Sequence, residues 1–213
     1  MVKRQHADVT VKIPKQKRSE TNVSAILEAS ARVLEREGLA GFNTNRIAAE
    51  AGVGIGTLYQ FFRSKEAILV AIARRQLDAD RAAIMSALAS VMDDPHAPIE
   101  RIVIRAVIAA YSRHTTMRKL VMQTMIGLGL GAEVALPGRE VAGLLNQRIA
   151  RTTRIVQPSK TPMRLFIVTC AVEAAIRAAA YERMPFFGTP EFEDELVHMV
   201  RSFLSTPSEN AMD

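Results

Sequence analysis

Apolar residues recur along this chain mostly at intervals of three and four, the spacing that lines one face of a helix, and rarely in alternation. From Ser19 to about Glu37 the stripe is Val23, Ile26, Leu27, Ser30, Val33 and Leu34, with Gly38 as the stop signal. Asn43 can cap a second, short helix in which Ile47, Ala48 and Ala51 share a face, and Gly52 ends it. Gly54 to Gly56 opens a third helix with almost no side-chain bulk. Leu58 and Phe62 turn inward there, leaving Thr57, Tyr59 and Gln60 outside. Ser64 then caps a long helix from Lys65 to about Met92, free of Gly and Pro, with Ile68, Leu69, Ile72, Leu77, Ile84, Leu88 and Val91 on its stripe.

Further helices are predicted from about Ile99 to His114, over 115–126, from Arg139 to Val156, from Met163 to Arg183 and from Pro190 to about Leu204. Pro98 opens the first of these, and Gly127 to Gly138 forms a glycine-rich loop. The expectation is an all-α fold of nine principal helices. Composition agrees: the 213 residues are 48% hydrophobic and 5% aromatic, with no Trp and few β-branched runs.

Charge changes the picture more than composition does. The net charge is +6, and residues 1–65 hold eleven Lys and Arg against six Asp and Glu, so nearly all of the excess is N-terminal. Within it, residues 1–18 carry six basic side chains and one acidic one without helical periodicity, as expected of a mobile arm. Such asymmetry favours a polyanionic partner for the N-terminal part, and a solvated basic tail fits the same counts. Cys170 is the one cysteine, which excludes an intrachain disulfide framework and a cysteine-cluster metal site and fits a reducing cytoplasm. No uncharged run is long enough to span a membrane, and no signal segment is evident.

Gly127, Gly129 and Ala132 match a loose dinucleotide fingerprint, but the flanks read as helices and no acidic residue lies between Val141 and Val172, so an interhelical loop is the better reading. His6, His96, His114 and His198 lack partners at zinc-ligand spacing, and Cys170 has no neighbouring base. No metal, cofactor or enzymatic activity is expected.

Two short helices joined by a glycine turn, with a polar, small-residue outer face on the second, suit a helix-turn-helix whose second helix enters a DNA major groove. The run TNRIAAEAGVGIGTLYQFFRSKEAIL, from Thr44 to Leu69, resembles the TetR family of transcriptional regulators. The resemblance reaches back through ILEASARVLEREGLAGF, Ile26 to Phe42, and beyond Leu69 only the general layout matches. It implies a helix-turn-helix DNA-binding domain over 19–65, a ligand-binding and dimerisation domain over 66–206, and a tail over 207–213.

The resemblance also implies roles. Thr44 is placed at a phosphate, with Asn45 and Arg46 near base edges or backbone. Ile55, Gly56 and Thr57 open the groove-facing helix, Gln60 can read adenine, and Tyr59 and Lys65 match the family's phosphate contacts. Gly54 stands where a capping hydroxyl residue is frequent, and Phe61 where Tyr or His is frequent, so one polar DNA contact is expected to be missing. Met92, Tyr111, His114, Met122, Met125, Phe166, Cys170 and Glu173 fall in segments that surround the family's ligand cavity. Ala171, Ala174, Ala175 and Ala178, with Phe192, Leu196, Met199 and Phe203, match the two-helix dimer surface, and the same faces fit intrachain packing. The protein expected is a homodimeric, cytoplasmic repressor of a palindromic operator on double-stranded DNA, released by a small, mostly apolar effector. The rival is a helical protein-binding adaptor whose helix-turn-helix only packs.

Overall fold

The computed structural model describes residue 9 and residues 17–92, 94, 96–135, 138–145 and 161–205. Among these, regular structure is helical and there is no strand. In chain order the helices are α1 (Lys17–Gly41), α2 (Thr44–Ala51), α3 (Ile55–Phe61), α4 (Lys65–Ala89), α5 (Ile99–Ser112), α6 (Thr115–Gly127) and the one-turn α7 (Gly131–Val134). Residues 138–145 are helical as α8. The series ends with α9 (Thr161–Tyr181) and α10 (Pro190–Ser205).

Local signals set these ends. Gly38 takes a left-handed φ of 62°, so α1 is two helical pieces meeting at a break where the sequence places a stop. The Asn43 side chain accepts a 2.9 Å hydrogen bond from the Arg46 amide and caps α2, while Gly52 closes it at φ 66°. The Ser64 hydroxyl accepts from the Ala67 amide at 3.1 Å and caps α4, which ends at Ala89 rather than Met92. The Thr189 hydroxyl accepts from the Phe192 amide at 3.3 Å at the start of α10. The basic arm over 1–18, the stretch from 146 to 156 and the tail lie outside the described residues, apart from Val9, Lys17 and Arg18; Val9 packs half-buried on the core that α1 lines.

The chain forms two compact units. The first comprises Met1–Asp78 and His114–Val134, the second Ala79–Arg113 and Ala135–Asp213. The core of the first is built from Ile26, Val33 and Leu34 of α1, Ile47 of α2, Leu58 and Phe61 of α3, Phe62, and Ala67, Ile68, Leu69 and Val70 of α4. Four consecutive buried residues at the start of α4 mean that this helix is enclosed on all sides there. Met117, Val121, Met122 and Met125 of α6 complete the core. A boundary at residue 65 leaves α6 outside the N-terminal domain; the compact unit includes it because a three-helix unit this small has too little apolar surface to enclose its own core.

In the second unit Ile104 and Tyr111 of α5 pack with Val168, Val172 and Ile176 of α9 and with Leu196 and Val197 of α10. A second cluster joins Ile84 and Leu88 of α4 to Ile99 of α5 and Val141 of α8. Ion pairs bind α5 to α10: Arg101 reaches Glu193 and Asp194 at 2.6 Å, Arg105 reaches Glu193 at 2.8 Å and Arg201 reaches Glu100 at 2.5 Å.

Candidate DNA interface

Helix α3 has two unlike faces. Leu58, Phe61 and Phe62 are buried, whereas Ile55 and Tyr59 are 39% and 49% exposed and Gly56 and Gln60 are also exposed. Thr57 is half-buried. No Cβ added at Gly56 would meet an atom within 4 Å, so the outer surface at this turn is bare backbone. Gly54 begins the helix in an extended conformation with no side-chain cap, leaving the first amides of α3 without a side-chain acceptor.

Phe61 supplies no polar group to the outer face. Three residues after Leu58, it falls on the inward face and is 9% exposed, part of the core rather than a vacant polar contact on the DNA side.

The two helices of the motif meet at their polar edges. The Thr44 hydroxyl and the Tyr59 phenol are hydrogen-bonded at 3.0 Å, and Asn45, Arg46 and Lys65 are exposed. Beside them runs a chain of charges linking α1 and α2. Arg32 pairs with Glu50 at 3.0 Å, and Arg36 with Glu50 at 2.7 Å and with Glu37 at 2.9 Å. The chain ends at Arg46, which pairs with the second oxygen of Glu37. Hydrogen bonds from Arg36 and then Arg32 hold the Glu50 carboxyl below its usual range, and those carboxylates push the Arg36 guanidinium up. Sequence reasoning missed Glu37 and Glu50, which helical periodicity marks only as polar positions.

The residues expected around a ligand are divided between the units. Met122 and Met125 are buried in the core of the first. His114, also there, has a left-handed backbone at the start of α6, and its ring pairs with Glu35 of α1 instead of capping its own helix. Tyr111 and Glu173 meet in the second unit through a hydrogen bond from the phenol to the carboxylate. Glu173 also accepts from Arg177 at 3.1 Å, and the Tyr111 ring lies edge-on to Tyr181 with centroids 5.9 Å apart. Met92 is half-buried, and Phe166 and Cys170 are exposed.

Of the residues expected at a dimer surface, Leu196 is buried within the second unit and Ala175, Phe192, Met199 and Phe203 lean on its core. Ala171 and Ala178 are exposed and Ala174 half-buried on α9. On the same helix Met163, Phe166 and Ile167 are 56%, 52% and 44% exposed. Among the described residues no group of His, Cys, Asp and Glu could hold a metal ion, and no helix is long and apolar enough to cross a membrane.

Residues 26–72 match the family model described as bacterial regulatory proteins, tetR family. An HTH-type transcriptional regulator of Staphylococcus aureus (strain USA300) is 31% identical over 84 residues, 39% of this chain and 43% of that protein. The match therefore spans less than half the length of this curated relative. Solved structures extend the likeness of fold. The multidrug binding protein EbrR complexed with malachite green aligns over 91% of this chain and all of its own, with a TM-score of 0.64 and 19% identity. The fatty acid degradation regulator FadR from Bacillus halodurans aligns over 86% of this chain and 98% of its own, with a TM-score of 0.60 and 16% identity. The motif built by α2 and α3 and the family match over it agree: residues 26–72 of this chain are a helix-turn-helix region of the TetR family of bacterial regulatory proteins.

Proposed function

We propose that this protein is a sequence-specific, DNA-binding transcriptional regulator, a homodimeric repressor that leaves a palindromic operator when a small, mostly apolar ligand binds. The observation that carries the reading is the division of α3 into a buried face and an outward face of Ile55, Gly56, Tyr59 and Gln60, beside the hydroxyl pair of Thr44 and Tyr59. Ile55 suits a thymine methyl and Gln60 the edge of adenine. Thr44, Tyr59 and Lys65 suit phosphates, with Asn45 and Arg46 alongside. Two such helices on a two-fold axis would address successive major grooves roughly 34–36 Å apart.

The exposed apolar face of α9 supports a homodimer, as a soluble chain seldom leaves three large apolar side chains together in water. EbrR, similar in fold, has been solved with malachite green, which supports a ligand role for the second unit. Tyr111 and Glu173 would be its polar anchors. A ligand that prefers the conformation unsuited to DNA drains the DNA-binding population, and α4, whose residues belong in part to each unit, is the covalent path for that coupling.

Selection of duplexes from a random pool by the full chain tests the reading. A palindromic consensus with a steep fall in affinity on adding salt supports it. Recovery of no consensus, with flat salt dependence, favours the protein-binding adaptor instead. For the ligand half, operator affinity that stays constant across every tightly bound small molecule removes the inducer role.

A further inference from the structure

Resting on the DNA-binding reading above, we propose that Glu37 is a specificity-determining positioning residue that acts through Arg46. The third residue of α2, Arg46 has a backbone fixed by the Asn43 cap, through a 2.9 Å bond to its amide. Its guanidinium is fixed separately, by the Glu37 carboxylate near the end of α1. That carboxylate is itself anchored: its other oxygen takes Arg36, which Glu50 holds at 2.7 Å, and only 19% of the Glu37 side chain is exposed.

Gly41 makes the seat. A Cβ there would collide with Glu37 at both its Cβ and Oε2, the oxygen that binds Arg46, so a side chain at 41 would displace Glu37 from this place. A cation with an unrestrained stem would grip any nearby phosphate, which adds affinity for all sequences alike. Tied to Glu37, Arg46 is offered to DNA in one place. The carboxylate also repels phosphates that approach out of register. Specific complexes gain from this arrangement and non-specific ones lose, so Glu37 sets the ratio between them.

The test compares the duplex recovered by selection with a scrambled duplex of the same length and composition, on full-length protein. Glu37→Gln should raise affinity for the scrambled duplex, steepen its salt slope by about 0.9 as one more guanidinium reaches a phosphate, and cut the specific-to-scrambled ratio about tenfold. In an Arg46→Gln background the same substitution should leave the ratio within about twofold, because the group through which Glu37 acts is gone. Circular dichroism and thermal unfolding of each variant report whether the fold is retained. An unchanged ratio in Glu37→Gln, or an equal loss of ratio with and without Arg46, overturns the proposal. A wild-type chain that binds both duplexes equally overturns the DNA reading beneath it as well, which separates the two failures.

Discussion

The hydroxyl of Thr44, at the first position of α2, lies 3.0 Å from the phenol oxygen of Tyr59 in α3. Fifteen residues apart in sequence, the two share one hydrogen bond and point to one spot on the polar edge of the motif. A phosphate there could accept from the hydroxyl whose proton the pair leaves unused, and from both once their mutual bond opens.

Tyr59→Phe tests that arrangement. The phenol is half exposed, so unfolding free energy should change by no more than about 0.5 kcal/mol, while duplex affinity should fall roughly 2- to 12-fold at every sequence. The salt slope should stay put, since no charge is lost. Lys65→Ala should instead lower it by about one unit. Titrations at several salt concentrations distinguish the two effects.

Phe61 belongs to the core, and replacing it should register in stability before DNA binding. Phe61→Ala is expected to cost about 3 kcal/mol, read as a lower urea midpoint. Phe61→His, which restores a polar group at this place, should destabilise the protein without raising its affinity for any duplex.

The pairing of Glu133 with Arg74 predicts a pH dependence. Two bonds of 2.8 and 2.9 Å join them, and hydrogen bonding to Arg74, against a smaller penalty of burial, holds the carboxyl below its ordinary value of 4.5. A carboxyl whose pKa is lower folded than unfolded adds stability above the unfolded value and loses it as pH falls through the folded one. Glu133→Gln should therefore be less stable than wild type near neutrality, and the two unfolding curves should converge as pH drops below about 4.5. A gap that persists in acid would contradict the pairing.

Phe166 is 52% exposed on α9. With a second copy seated on this helix, Phe166→Glu would bury a charge without a partner in the interface. The variant should keep the helical signal of the wild type and sediment as a monomer where the wild type sediments as a dimer. Equal sedimentation of both as dimers would place the interface elsewhere.

What could be read from sequence was what is decided within a few residues. Asn43, Gly52 and Ser64 were legible as caps because each bonds or bends the chain one turn away. The faces of α3 were legible in outline, since Leu58 selects its neighbours three and four places on. The inward place of Phe61 follows from the same period, three residues after Leu58. Pairings across the fold were not legible. His114 and Glu35 are 79 residues apart, and nothing near either residue announces the other. The apolar stripe of α6 looks the same whichever core it serves, so sequence could not assign it to the first unit. Glu37 and Arg46 are only nine apart, but a helix break and a turn intervene, and their meeting depends on how α1 and α2 cross.

Because α6 closes the core of the first unit, that unit is not finished when its motif has been made. Residues through Asp78 would leave a ribosome with Ile26, Leu34 and Ile68 lacking the cover of Met117, Val121 and Met125. The missing wall is complete with His114–Val134, roughly 3 to 11 seconds later at about 5–20 residues per second. During that interval the helix-turn-helix exists as sequence without its complete support, and the nascent chain is open to chaperones or to premature association. Competence to hold DNA is thereby tied to synthesis of the chain well past its own DNA-facing residues.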